Sequence, residues 1–366
     1  MRKASNIPHS RPTVGLGDRR AVSAAIASSQ LAQGPRVAEF EACVASLVGA
    51  AGGAAVSSGT AALHLALVVL GIGPGDEVIL PSYLCAGPLH AIQHAGASPL
   101  LADCDPATYN LDLTHVKRIL TRKSKAIIVP HLFGLPADLA ELVSLGIPII
   151  EDCAQALGAT YQGRPVGGIG TLSICSFYAT KVITTGEGGM LLSRDPRLLR
   201  RAQDLRDYDE RRTLRTRFNY KMTDFQAALG LSQLQKLPDF LAKRQALAER
   251  YHQQLQGLLL AGPVVPADRT HIFYRYVVRV TGRRLGSMLT LLEQAGVCAR
   301  RPVFRPLHRY LKLAGFPGTE EAWRTALSLP IYPTLGGGID RVIAAVRTVF
   351  SGQAGNHGRK SNATNR

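Results

Sequence analysis

The chain has 366 residues, 46% of them hydrophobic and 36 of them glycine; that is enough for one large packed domain and a smaller one, and too apolar for a disordered polymer. Its formal charge is +17, from 43 basic against 26 acidic residues, a balance that raises nucleic acid, anionic membranes and polyphosphate ligands as partners without choosing among them. No helix-turn-helix, zinc-finger spacing or basic stripe with interleaved aromatics accompanies the charge, no run of about 18 apolar residues occurs, and the start MRKASNIPHSRPTVG has no apolar core; nucleic-acid binding, membrane insertion and export are therefore not expected.

In chain order, Arg19–Gln33 and Pro35–Val48 pattern as helices. The pattern then switches: Ala54–Val56 reads as a short strand, Ser57–Thr60 as a turn and Ala61–Leu70 as a helix closed by Gly71. Strands at Asp76–Leu80, Ser98–Ala102, Ala126–Pro130 and Ile147–Glu151 alternate with helices at Gly87–Ala95, Leu113–Thr121 and Pro136–Leu145. That alternation argues for a mostly parallel sheet covered on both faces. Ser173–Ser193 should be a strand, a bend around Lys181, the glycine turn Gly186–Gly189 and a returning strand. Past Leu237 the rhythm changes. A long helix, Pro238–Leu259, bridges to strands at Ile272–Val280 and Leu327–Tyr332 and helices at Leu285–Ala295 and Ile339–Phe350. The expected organisation is a large domain over 1–237, a bridging helix with a small domain over 238–350, and a disordered polar tail over 351–366.

Three features carry chemistry. The small-residue turn Ser57–Thr60 at a helix head exposes backbone N–H groups at the positive end of the helix dipole, a seat for phosphate; an ordinary serine or threonine N-cap has the same sequence. Asp152 stands at the carboxyl end of a strand, where ligands of such sheets gather. A carboxylate there can pair with a protonated cofactor ring nitrogen, or simply cap the next helix. Lys181, between ICSFY and GEGG, lies in apolar sequence, where poor solvation favours the neutral, nucleophilic amine that a Schiff base needs; a surface lysine in a hairpin is the alternative. A phosphate seat, a strand-end carboxylate and an embedded lysine together meet three requirements of pyridoxal phosphate. The six cysteines, Cys43, Cys85, Cys104, Cys153, Cys175 and Cys298, form no CxxC pair and read as reduced residues of a cytoplasmic protein.

The segments SSGTAALHLAL, GPGDEVILPS, KAIIVPHLFGLPADL, IEDCAQALGATYQGRPVG, SFYATK with TTGEGG, and NYKMTDFQAALGLSQL together resemble the DegT/StrS family of pyridoxal-phosphate sugar aminotransferases. The resemblance is most specific from Gly34 to Leu237 and continues more weakly to Val349. It implies an α/β, fold-type I aminotransferase with a large, mostly parallel-sheet three-layer domain and a smaller C-terminal α+β domain. It also implies a homodimer with active sites at the subunit interface, and amino transfer from an amino acid, glutamate, to a nucleotide-linked keto-sugar. Carried over by residue, it makes Lys181 the Schiff-base lysine and proton carrier, Asp152 the partner of the pyridine nitrogen and Gln155 a neighbour of the ring. Gly59, Thr60, Ala61 and Ser176 fall where the family holds phosphate, and Asn219 matches an asparagine that reaches the cofactor of the other subunit.

The chain also departs from the pattern. Cys85 occupies the position of the family's ring-stacking aromatic, which leaves Tyr83, two places earlier, to cover the ring or the stacking to be replaced by a smaller contact. Lys221 stands in place of an arginine and RDYDE (206–210) in place of RxHG, which puts the substrate in question. Arg301, Arg305 and His308, around the segment RPLHRYL, are candidates for a substrate diphosphate, with a solvated basic face as the alternative. Two other functions remain open on this scaffold: a sugar dehydratase, against which Lys181 argues because that branch carries histidine there, and a regulatory relative acting through its basic surface.

Overall fold

The computed structural model describes residues 6–351; the expected tail lies outside them except for Ser351, which ends the last helix. In chain order come α1 (Leu16–Ala27), α2 (Pro35–Val48), β1 (Gly52–Val56), α3 (Gly59–Val69), β2 (Glu77–Pro81), α4 (Ala86–His94), β3 (Ser98–Ala102), α5 (Leu113–Ile119), β4 (Ser124–Pro130), α6 (Leu139–Ser144) and β5 (Ile149–Asp152). A short hairpin, β6 (Thr160–Tyr161) and β7 (Arg164–Pro165), precedes β8 (Leu172–Ser176), β9 (Gly189–Ser193), α7 (Pro196–Leu205) and α8 (Asp224–Leu234). The C-terminal part holds α9 (Leu237–Gln254), β10 (Leu260–Ala261), β11 (Tyr276–Val280), α10 (Leu285–Gln294), α11 (Leu307–Leu311), α12 (Pro317–Thr325), β12 (Ala326–Leu329) and α13 (Gly338–Ser351).

The main sheet has seven strands in the order β1-β9-β8-β5-β4-β2-β3. Only β9 opposes the rest, pairing antiparallel with both β1 and β8. Apolar residues alternate between its faces, as a strand's period of two requires. Ala54, Val56, Val78, Leu80, Ile128 and Ile150 join the core under α3, α4 and α7, while Ala55, Ile79, Ile127, Val129 and Cys175 join the core under α2, α5, α6 and α8. The fold is thus the expected three-layer α/β arrangement. α3 is apolar on nearly every side and is buried along its length, as a helix without a polar face must be.

A second, three-stranded antiparallel sheet, β10-β11-β12, packs with α9, α10 and α13 around Tyr251, Tyr276, Val278, Leu292 and Val342. The strand expected over Ile272–Val280 begins only at Tyr276, because the residues before it bond to the large domain instead. Ile272 N–H donates to Gly134 O (3.0 Å) and Arg275 N–H to Phe133 O (3.1 Å), and Phe273 adopts a left-handed φ of 48°. In the middle of α9, the buried Arg244 donates from Nη1 to the carbonyls of Phe273, Tyr274 and Ile331 at 3.1, 3.0 and 3.1 Å. That side chain ties residues 273–274 and 331 to α9. Among the described residues no helix is long and apolar enough to cross a membrane.

Candidate active site

Six of the seven strands run the same way, so their carboxyl ends share one edge of the sheet. The segments leaving β2, β4, β5 and β8 line one cleft of about 330 Å³ with Cys85, Phe133, Gln155, Lys181 and, from the C-terminal part, Tyr274 and Arg305. This is where a doubly wound sheet gathers ligands. Lys181 is half-buried on the bend after β8, where its N–H donates to Tyr178 O at 2.9 Å; its Nζ lies 5.4 Å from the centre of the Tyr274 ring.

Successive residues of β5 point to opposite faces, which gives its two carboxylates different roles. Glu151, on the α2 face, is fully buried and accepts N–H bonds from Gly167 (2.8 Å), Ile169 (2.8 Å) and Gly170 (2.6 Å), with His131 Nε2 at 3.3 Å. Burial would raise its pKa, but those donors and His131 outweigh it and hold the carboxyl below its ordinary range. His131 Nδ1 accepts from Ala137 N–H, so in the buried cluster His131, Glu151 and Cys153 the imidazole and the carboxylate already have protein partners. Asp152 is different. It is 8% exposed, and among the described residues its carboxylate has one hydrogen bond, from Ala154 N–H to Oδ1 (3.0 Å). Burial pushes its pKa up, against the lowering effects of that bond, Lys181 and His131. A carboxylate so placed is short of a cationic partner.

The helix head expected to seat phosphate is there, with one change in its geometry. α3 starts at Gly59, and Ser58 caps it by accepting Ala61 N–H at 3.1 Å. The cap therefore occupies the Ala61 amide, while the N–H groups of Gly59 and Thr60 have no acceptor among the described residues. Two glycines make the seat possible. A Cβ on Gly59 would stand 2.8 Å from Ser176 Cβ, and one on Gly189 would stand 2.3 Å from Ser58 O and 2.6 Å from Gly59 N. The glycine turn thus permits β9 to pass against the backbone of that helix head. Ser176, half-buried at the end of β8, faces the same turn.

Gln155 lines the cleft and accepts Phe133 N–H at Oε1 (3.0 Å), which leaves its amide NH₂ toward the open space. Phe133 pays for the wall it forms with a left-handed φ of 60°, a conformation that costs a residue with a Cβ about 1 kcal/mol or more. Asn219 is exposed and has no hydrogen-bond partner among the described residues.

Three expected site residues sit elsewhere. Tyr83 is fully buried, stacked at 5.8 Å on Tyr109 and edge-on to Phe133; the turn after β2 sends it into the core and Cys85 into the cleft, so it cannot cover a ring there. His308 is buried between two partners, with Nδ1 2.7 Å from Ser82 Oγ and Nε2 2.8 Å from Glu320 Oε1. It joins the C-terminal part to the end of β2 and has no nitrogen left for a diphosphate. Arg301 lies over the Trp323 ring at 4.5 Å and donates to the Trp323 carbonyl, so it too is held away; Arg305 alone of that group lines the cleft. The departures Lys221 and RDYDE prove to be coupled, since Lys221 Nζ pairs with Asp207 and Asp209, while Arg206 forms a buried pair with Glu41.

Tyr274 and Arg275 were missed in the sequence. Burial would raise the pKa of Tyr274, but Lys181, Arg275, a hydrogen bond from Thr180 and Arg244 lower it further, to about 8. The available signal was the polar pair YR in an otherwise apolar strand pattern.

Residues 15–347 match the family model described as the DegT/DnrJ/EryC1/StrS aminotransferase family. The spore coat polysaccharide biosynthesis protein SpsC of Bacillus subtilis (strain 168) is 35% identical, over 94% of this chain and 97% of its own. GDP-perosamine synthase of Caulobacter vibrioides is 37% identical, over 86% and 90%. Among solved structures, the aminotransferase TlmJ from Streptoalloteichus hindustanus superposes with a TM-score of 0.89 at 36% identity, covering 94% of this chain and 99% of its own. Spr1654 from Streptococcus pneumoniae, in its PLP-form, gives 0.89 at 27% identity over 95% and 99%.

Proposed function

The chain belongs to the DegT/DnrJ/EryC1/StrS aminotransferase family, and from that footing we propose that it moves an amino group from glutamate to a nucleotide-linked keto-sugar, with pyridoxal phosphate as cofactor. The observation that carries the reading is the convergence on one edge of the sheet of Lys181 in the cleft, the buried carboxylate of Asp152 close enough to feel its charge but without a paired cation, and a helix head with two free N–H groups beside Ser176. Each answers a different part of the cofactor: carbonyl, protonated ring nitrogen and phosphate.

The residues fit the group. Gly59 and Thr60 N–H with Ser176 Oγ would bind the phosphate, and a Cβ at Gly59 or Gly189 would fill the cradle. Asp152 would hold the proton on the ring nitrogen, gaining the cation its buried carboxylate lacks. Once bound, pyridoxal phosphate supplies an electron-withdrawing ring for charge developing at the donor's α-carbon. Lys181 Nζ would hold the cofactor's carbonyl end and, once free, would take the proton from the donor's α-carbon. Gln155 NH₂ would hydrogen-bond the cofactor ring, and Phe133 and Val303, which line the cleft, would keep water from that proton transfer. Arg305, exposed at the cleft, is the candidate for an anionic group of the acceptor.

We further propose a homodimer, in which the exposed and unpartnered Asn219 reaches the phosphate of the neighbouring subunit's cofactor, and a cytoplasmic location, which the six free cysteines suit. The test is spectroscopic. L-Glutamate should convert the visible spectrum of the cofactor-loaded protein to that of the amino form, and a nucleotide-linked keto-sugar should restore it. Lys181→Ala should abolish both changes; turnover at the wild-type rate in that variant would end the assignment.

A further inference from the structure

Behind the Tyr274 ring lies a second, smaller recess that shares Thr180, Tyr274 and Arg275 with the cleft and adds His9, Arg11 and Arg244. Its charge is one-sided. Arg275 is half-buried, with Nη1 3.3 Å from both ring nitrogens of His9 and its guanidinium 5.4 Å from the centre of the Tyr274 ring. Arg244 is 3% exposed; its Nη1 is spent on three carbonyls, and its Nε is buried without any partner. No carboxylate among the described residues pairs with Arg11, Arg244 or Arg275. His9 does not add to the charge, because burial, with Arg275 and Arg300, drives its pKa down to about 3. The neighbouring phenol reports the same field, since Lys181, Arg275 and Arg244 bring Tyr274 down to about 8 in spite of its burial.

A buried cation such as Arg244, and to a lesser degree the half-buried Arg275, is costly to leave without counter-charge unless an anion completes it. We infer that this recess is the carboxylate subsite of the amino donor, with Arg275 as the residue that grips the carboxylate and Arg244 as the residue that positions Arg275. The inference rests on the aminotransfer reading above. Size selects the ligand: the cavity of about 10 Å³ admits one water-sized group, which suits the oxygen end of a carboxylate entering from the cleft and not a phosphate or a sugar. Shape selects it too, because a planar guanidinium presents two parallel N–H donors that match a carboxylate. The position is also apt, as the recess and Lys181 flank one aromatic ring. A donor gripped there is held with its amine toward Lys181.

The experiment compares wild type with Arg275→Gln and Arg275→Lys, all cofactor-loaded, with circular dichroism to confirm folding. In the glutamate half-reaction, Arg275→Gln should raise the apparent KM for L-glutamate about 10- to 100-fold, as expected for a lost charge-assisted contact, while the KM for the sugar acceptor changes less than twofold; Arg275→Lys should recover part of the loss. Calorimetry on the cofactor-free protein with glutarate, a dicarboxylate that cannot react, gives an independent readout. Glutarate should bind wild type and lose at least tenfold in affinity with Arg275→Gln. An unchanged KM for glutamate in a wild type that does transaminate would overturn the subsite and leave the aminotransfer reading intact. So would glutarate binding indifferent to Arg275, or inorganic phosphate binding as tightly with the same dependence. If wild type does not respond to glutamate yet binds glutarate through Arg275, the carboxylate site stands and the aminotransfer reading falls.

Discussion

Replacing Asp152 by Asn separates what this side chain does for folding from what it does for chemistry. Asn keeps an Oδ1 acceptor for Ala154 N–H, the one hydrogen bond to the Asp152 carboxylate among the described residues, and nearly the same volume. What it removes is a buried charge whose pKa burial has raised. Because the folded-state value lies above the unfolded one, the native state binds the proton more readily, and the charged form penalises folding at neutral pH; the penalty fades as pH falls through the folded pKa toward the unfolded value. Each unit of such a shift is worth about 1.4 kcal/mol. Cofactor-free Asp152→Asn should therefore be more stable than wild type at pH 7, by about 1–3 kcal/mol for relief of a poorly compensated buried group, and the difference should vanish in acid. With cofactor bound the sign reverses. The ring-nitrogen proton loses its carboxylate, and breaking a buried ion pair costs about 3–5 kcal/mol, or roughly 10²- to 10⁴-fold in the rate of the glutamate half-reaction. Differential scanning fluorimetry of the cofactor-free protein at pH 7 and pH 4, with stopped-flow absorbance of the loaded protein, measures both. A cofactor-free variant less stable than wild type at pH 7, or a loaded variant within threefold of the wild-type rate, would refute the reasoning.

Two further substitutions address the seat and the local field. Gly189→Ala would place a methyl 2.3 Å from Ser58 O and 2.6 Å from Gly59 N, backbone atoms that cannot step aside, so it should cost about 1–3 kcal/mol of stability and weaken cofactor binding by about tenfold or more in equilibrium dialysis. Gly186→Ala, whose added methyl meets nothing within 4 Å although φ is 82°, should suffer only the backbone penalty of about 1 kcal/mol and keep the cofactor. Tyr274 should ionise with a midpoint near 8, seen as a rise in absorbance at the tyrosinate band that is absent in Tyr274→Phe and moves to higher pH in Lys181→Ala. Its folded pKa lies below the unfolded one, so its contribution to stability is complete above the unfolded value and disappears as pH falls through about 8. The thermal stabilities of wild type and Tyr274→Phe should accordingly diverge on going from pH 7 to pH 9.5.

Much of the site was legible because its requirements are local. The turn after β1, the strand-end position of Asp152 and the bend at Lys181 are written in runs of a few residues, by strand alternation, helix capping and glycine. Parallel strands then bring their carboxyl ends to one edge, whatever else the chain does. Side-chain direction just beyond a strand is not local in this way. Whether Tyr83 or Cys85 faces the cleft depends on how residues 82–85 turn, and Tyr83 finds a larger apolar contact against Tyr109 and Phe133 than an open cleft offers. The fate of His308 depended on Ser82 and Glu320, one of them 226 residues away. Tyr274 and Arg275 reach Lys181 only because Gly134, which has no Cβ to obstruct Tyr274 N at 2.9 Å, lets residues 272–275 bond to the wall of the large domain. The sequence by itself therefore determined the three-layer sheet and the placing of the turn after β1, Asp152 and Lys181 at its edge, which follow from short-range periodicity and backbone geometry. Only the tertiary structure decided which distant polar groups share the cleft, because contacts between segments far apart in the chain are set by packing and charge.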